Sequence, residues 1–292
     1  MSDNLFNIRQ LPKSLLKMLD KLIVNRIGSK PNATMITRDI VGFISAQKKY
    51  QLVLQEKTKS AAIGLHPIES EHVDYPSKTP ENLQEIPPSA LLTGEWLHQE
   101  THCNPEANIL GGMGQLILQN ETCHIPVIEA TPTHLAYYNA YLIPIGGILQ
   151  FETQHDLPIT KVWIGENYVQ HYLSEEKHGG GEYIEYHDQP HLWAPQSPDC
   201  SGHILLGHQE HHQFYLTGFK IPFGYAVYMS PYTLHSDAYL IGEHLVVYTV
   251  TDDYSTALIM NQHQKPHALH FEKSMGSESI DLQPQPTNKL IA

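Results

Sequence analysis

The stretch Gly179-Gly180-Gly181-Glu182-Tyr183-Ile184-Glu185-Tyr186-His187-Asp188-Gln189-Pro190-His191 decides how the rest of the chain is read. Residues 182–187 alternate in character, which predicts a strand with Glu185 and His187 on one face. Asp188 and Pro190 signal a turn, and His191 follows it. Further on, Pro231-Tyr232-Thr233-Leu234-His235-Ser236-Asp237 places another imidazole between two strand-like runs. A carboxylate and several imidazoles converging from neighbouring strands can hold one divalent metal ion. Glu185, His187, His191 and His235 are the candidate ligands. No thiolate joins them, so iron, manganese, nickel and zinc all suit the donor set.

Short apolar or aromatic runs with turn signals between them extend on both sides. They lie at 115–118, 124–129, 136–142, 147–152 and 161–163, then at 203–206, 213–216, 225–229, 238–240 and 245–250. This spacing predicts an all-β sandwich or barrel rather than repeated βαβ units. The fold expected is therefore mainly β. An α-helical N-terminal segment is expected over 1–65, with an amphipathic helix at 11–27 and a second at 37–57. Residues 66–90 carry five prolines and predict a linker or an arm crossing the body. The β domain is expected over 91–271, with a flexible tail at 272–292.

The central region resembles the cupin superfamily, whose members are double-stranded β-helix barrels with metal ligands supplied by two loose motifs. Gly179, five residues, Glu185-x-His187, three residues and His191 follow the spacing of the first motif. Here Glu and His stand in reversed places, and Pro198 replaces the closing Gly. Gly224, Pro231 and His235 approximate the second motif, with Tyr239 where the family has Asn. The resemblance implies a cupin-like barrel holding one divalent metal, Fe(II) favoured, that acts on a small polar substrate by oxygenase (dioxygenase) or isomerase chemistry. It also implies alternatives. Metal-free epimerase-type cupins pair a His–Asp base with a Tyr acid, for which Asp237 and Tyr232 are the catalytic candidates. In another alignment His208, His211 and His212 replace the first ligand group; the plain reading of those residues is a polar hairpin turn. His235-Ser236-Asp237 has the His-x-Asp form of 2-oxoglutarate oxygenases, but the last arginine of the chain is Arg38, too early to receive the co-substrate carboxylate.

Charge narrows the partners. The net charge is −13, divided into +7 over residues 1–60 and −20 over 61–292. The acidic body excludes nucleic acid as the main partner, because phosphate contacts need Lys and Arg. The basic leader fits either a helix docked on its own acidic domain or a contact surface for another macromolecule, and a homodimer is also open. The latter surface would belong to a non-catalytic binding module. Histidine is enriched, with 20 residues, and the three cysteines show no Cys-x-x-Cys pair. No signal peptide or membrane-spanning run is evident, so a cytoplasmic protein is expected.

Overall fold

The computed structural model describes residues 39–57, 60–76, 85–102, 113–249, 251 and 253–273. The chain opens with β1 (Asp39–Ile44), β2 (Lys49–Lys57) and β3 (Ser60–Ile68). Next come β4 (Ala90–His102), β5 (Met113–Leu118), β6 (Cys123–Glu129), the short helix α1 (Pro132–Tyr137), β7 (Ala140–Pro144), β8 (Ile148–Gln150) and β9 (Leu157–Ile164). The second half contributes β10 (Tyr183–His187), β11 (His191–Pro195), β12 (Ser201–Gly202), β13 (Ile204–Glu210) and β14 (Gln213–Lys220). It ends with β15 (Tyr225–Met229), β16 (Leu234–Ser236), β17 (Leu240–Val247), β18 (Tyr254–Asn261) and β19 (Leu269–Lys273).

The first three strands correct the expected α-helical N-terminal segment, because β1 and β2 occupy the range of its second helix. Over 49–52 the order Lys-Tyr-Gln-Leu buries Tyr50 and Leu52 and turns Lys49 and Gln51 outward, a period of two rather than 3.6. Tertiary pairing takes up that alternation: β1 lies on β9, and β2 lies between β3 and β8. The helix expected at 11–27 and the tail beyond Lys273 lie outside the described residues. The arm around Asp74 and Tyr75 is bound to β8, both backbone N–H groups donating to Ile148 O at 2.8 and 3.0 Å. Ala136 and Tyr137, read from sequence as the start of a strand, belong to α1, whose N-cap Thr131 accepts from His134 N.

Seven strands close on themselves in the order β13-β16-β10-β18-β5-β4-β14, and β14 pairs back onto β13. Each contributes to one apolar cluster: Leu205, Leu234, Ile184, Ile259, Leu118, Leu92 and Phe214. This cluster fills the ring, and closure removes its edges. A second sheet, β1-β9-β17-β11-β15-β7, packs on the outside of the ring. Between the two, Trp193, Val246 and Met229 of the sheet meet Leu206, Tyr183 and Phe219 of the ring. The far face of the second sheet is covered by the β3-β2-β8 ribbon through Leu52, Ile63 and Leu149. Among the described residues no helix is long and apolar enough to cross a membrane.

His203, just before β13, stacks on Tyr239 at 5.3 Å and 7° and touches Phe271 of β19 at 4.2 Å. Burial, assisted by the Lys220 charge, pushes its pKa down to about 4. The unfolded chain therefore takes up this proton first, near pH 6.5, and stability falls as pH drops from there towards 4. We expect this histidine to cost about 2 kcal/mol between pH 7 and pH 5. Denaturant unfolding at the two pH values checks it, and His203→Gln should shrink the acid loss by that amount.

Candidate metal centre

The pleat of β10 separates two environments. Ile184 packs in the ring interior and Tyr186 packs against it, whereas Tyr183 packs in the layer between ring and second sheet. Alternation therefore sends Glu185 and His187 towards that layer too. Before β10 the three glycines take φ of 151°, 81° and 159°, and Gly180 in particular sits in left-handed territory that favours glycine. After it, Asp188-Gln189-Pro190 carries the chain across to β11 in the facing sheet, so His191 looks back at His187. On the other side β16 pairs with β10, placing His235 directly opposite Glu185.

Three imidazoles converge there. Ring centroids are 5.5 Å apart for His187 and His191, 4.9 Å for His187 and His235, and 5.3 Å for His191 and His235. Their exposures are 3%, 2% and 0%, and one nitrogen from each lies within 4.8 Å of the other two. His191 also packs on Trp193 and Tyr248. The cluster thus lies in the inter-sheet layer, outside the oily interior of the closed ring.

Hydrogen bonds set the tautomers. His187 Nδ1 lies 2.7 Å from Gln189 O, and His235 Nδ1 lies 2.9 Å from Thr233 O. A carbonyl only accepts, so both Nδ1 atoms carry the proton and both Nε2 atoms keep a lone pair. The Thr249 hydroxyl adds a contact 3.1 Å from His187 Nδ1 and donates to Pro190 O. Burial pushes the His187 pKa down to about 3, and burial lowers that of His235, so both rings are neutral at pH 7. His187 Nε2 is buried with no hydrogen-bond partner among the described residues. His191 Nδ1 and His235 Nε2 are 3.3 Å apart, close to the spacing of two nitrogens that share a tetrahedral ion at about 2.0–2.1 Å. The residues present fit a divalent metal.

Glu185 is buried beside this trio. Its Oε1 lies 3.7 Å from His235 Nε2, and its Oε2 accepts from Thr256 at 3.1 Å. Asp237 is buried and accepts from the Tyr183 hydroxyl at 2.9 Å. Tyr232 is 58% exposed; its hydroxyl donates to Asp253 and its backbone N–H to His187 O. The candidate base Asp237 and the candidate acid Tyr232 thus hydrogen-bond to Tyr183 and Asp253. His208 is an exposed residue of β13, and His211 and His212 form the β13–β14 turn. Sequence reading missed Tyr183 and Thr249. Tyr183 was detectable, since alternation puts it on the face of Glu185 and His187; nothing local marks Thr249, which arrives from the end of β17.

No protein-family model, curated protein or solved structure matches the chain. Its function has to be read from the geometry of the site.

The Tyr183–Asp237 bond is a neutral donor on a buried carboxylate. Tyr183→Phe should destabilise the fold by about 1.5–3 kcal/mol, read as a lower urea midpoint with an unchanged m-value.

Proposed function

We propose that this chain is a cupin-like metalloenzyme that binds one divalent first-row ion through His187, His191 and His235, with Glu185 as the adjacent carboxylate. The observation that carries this reading is His187 Nε2, a neutral imine nitrogen, buried without a hydrogen-bond partner among the described residues and facing two further imidazoles. Leaving such an acceptor unmet costs about 1–3 kcal/mol, which a coordinated ion offsets. The backbone carbonyls on Nδ1 of His187 and His235 are the outer partners that metal-binding histidines require. Nitrogen and oxygen donors without thiolate suit Fe(II), our favoured ion, as well as manganese, nickel and zinc.

The substrate in this reading is a small polar molecule, and the chemistry is oxygenase or isomerase. A bound ion would supply Lewis-acid polarisation or electron transfer. The chain's own contribution is orientation and exclusion of water. Gln189 O and Thr233 O fix the ring planes, Thr256 holds Glu185, and the Tyr183 hydroxyl holds the Asp237 carboxylate two residues beyond His235. Trp193 and Tyr248 pack against His191 and keep bulk water from the layer.

A second reading is a non-catalytic module whose ion is structural, which the near-complete burial of all three rings favours. One experiment separates them. Untagged protein should carry about one divalent ion per chain, and His187→Ala or His235→Ala should lose it. Thr249→Val, which removes the hydroxyl beside His187 Nδ1, should weaken metal affinity about tenfold or more. Metal-free protein of full length, unchanged by these substitutions, would refute the site. If chelation lowers the melting temperature but a metal-loaded sample turns over no small polar substrate, the structural reading stands instead.

A further inference from the structure

Four of the seven ring strands, β4, β10, β13 and β16, line a groove of about 500 Å³ that contains none of the four metal-centre side chains, though its Thr233 supplies the carbonyl that holds His235. Leu234, Trp96 and Tyr186 line it, and they also belong to or pack on the apolar filling of the ring, which places the groove at an open end of the ring. Two aromatic pairs form its walls: Trp96 with Tyr186 at 5.4 Å, and Tyr137 with His208 at 5.5 Å. Tyr232, more than half exposed, lines it as well. Groups that both donate and accept also line it, among them His98, Asn139 and Gln209.

Two further features point to a ligand. Asn139, His211 and Tyr232, with φ of 57°, 58° and 63°, account for three of the four non-glycine residues in left-handed conformation among the described residues, and all three line this groove. Asn139 follows the end of α1 and His211 stands in the two-residue β13–β14 turn, where such conformations are ordinary, but the bulky Tyr232 holds one at the third position of the Ser230–Thr233 turn, and strain of that kind gathers at ligand clamps. Among the described residues the lining contains one carboxylate, Glu95, and no lysine or arginine, and the chain carries −13. An anionic ligand would therefore meet repulsion and no counter-charge. Nor is the groove a second metal set, because the one metal-competent group found among the described residues is His187, His191 and His235.

We propose that the groove binds an uncharged oligosaccharide. A sugar ring is a plate with apolar C–H faces and a hydroxyl rim, which suits aromatic walls interleaved with imidazole and amide groups. A quaternary ammonium ion would also be drawn to aromatic faces, but its methyl shell would leave the imidazoles and amides unpaired. The site is distinct from the metal centre: Tyr186 and Leu234 face the groove, and their neighbours His187 and His235 face the imidazole cluster through the other side of the same two strands.

Calorimetric titration of the full-length protein with maltotriose, cellotriose and triacetylchitotriose tests this. We expect saturable binding of at least one, weakened about fivefold by His208→Ala and by Tyr232→Ala, both at exposed positions. EDTA and His187→Ala should leave that binding unchanged. Absence of binding by all three sugars overturns the proposal, as does binding that both groove variants leave intact. Tighter binding of a trigalacturonate or of choline also overturns it, and loss of sugar binding on chelation would move the ligand to the metal centre.

Discussion

Two backbone carbonyls hold the chemistry of this protein in place. Gln189 O and Thr233 O each lie two residues from the histidine they serve, and each takes the Nδ1 proton. Without them the rings of His187 and His235 could present either nitrogen, and the lone pairs would have no fixed direction. Both carbonyls sit in turns, one leading out of β10 and one leading into β16. The turns therefore do more than connect strands; they choose the tautomer.

The layered architecture explains why such a polar cluster is tolerated. The ring has its own apolar filling, and the second sheet has its own apolar contact with the β3-β2-β8 ribbon. The layer between them can then accommodate histidines, a glutamate and an aspartate, because the fold does not depend on that layer alone for burial. Those polar groups are hydrogen-bonded by neighbours from other strands, as Thr256 does for Glu185 and Tyr183 does for Asp237.

Much of this was legible in the residues. Alternation over 182–187 puts Glu185 and His187 on a common face, and the turn residues Asp188 and Pro190 return the chain towards them at His191. The β character of the body was also readable from its punctuated apolar runs. The region before residue 60 misled because Ile40, Phe43, Ile44, Val53 and Leu54 fit a helical stripe as well as a strand, and only pairing with β9, β3 and β8 decides between them. Asp237 and Tyr232 were candidates for the base and the acid of a metal-free epimerase, and their hydrogen-bond partners could not be read from sequence. Those partners come from other strands and loops: Asp237 meets Tyr183, and Tyr232 meets Asp253. Ring closure by β13 and β14 with β4 and β5 is likewise a long-range fact that no local pattern encodes.

The opposed faces of β10 also govern how its length can vary. A slip of one residue in its pairing would carry Tyr186 into the histidine layer and expel His187 to the groove. The turn after β10 is fixed in length by the Gln189 carbonyl on His187 and by the arrival of His191, and changes inside the strand must come in twos to preserve parity. A single-codon deletion between Glu182 and Asp188 would thus transpose the two sites rather than merely shorten the wall.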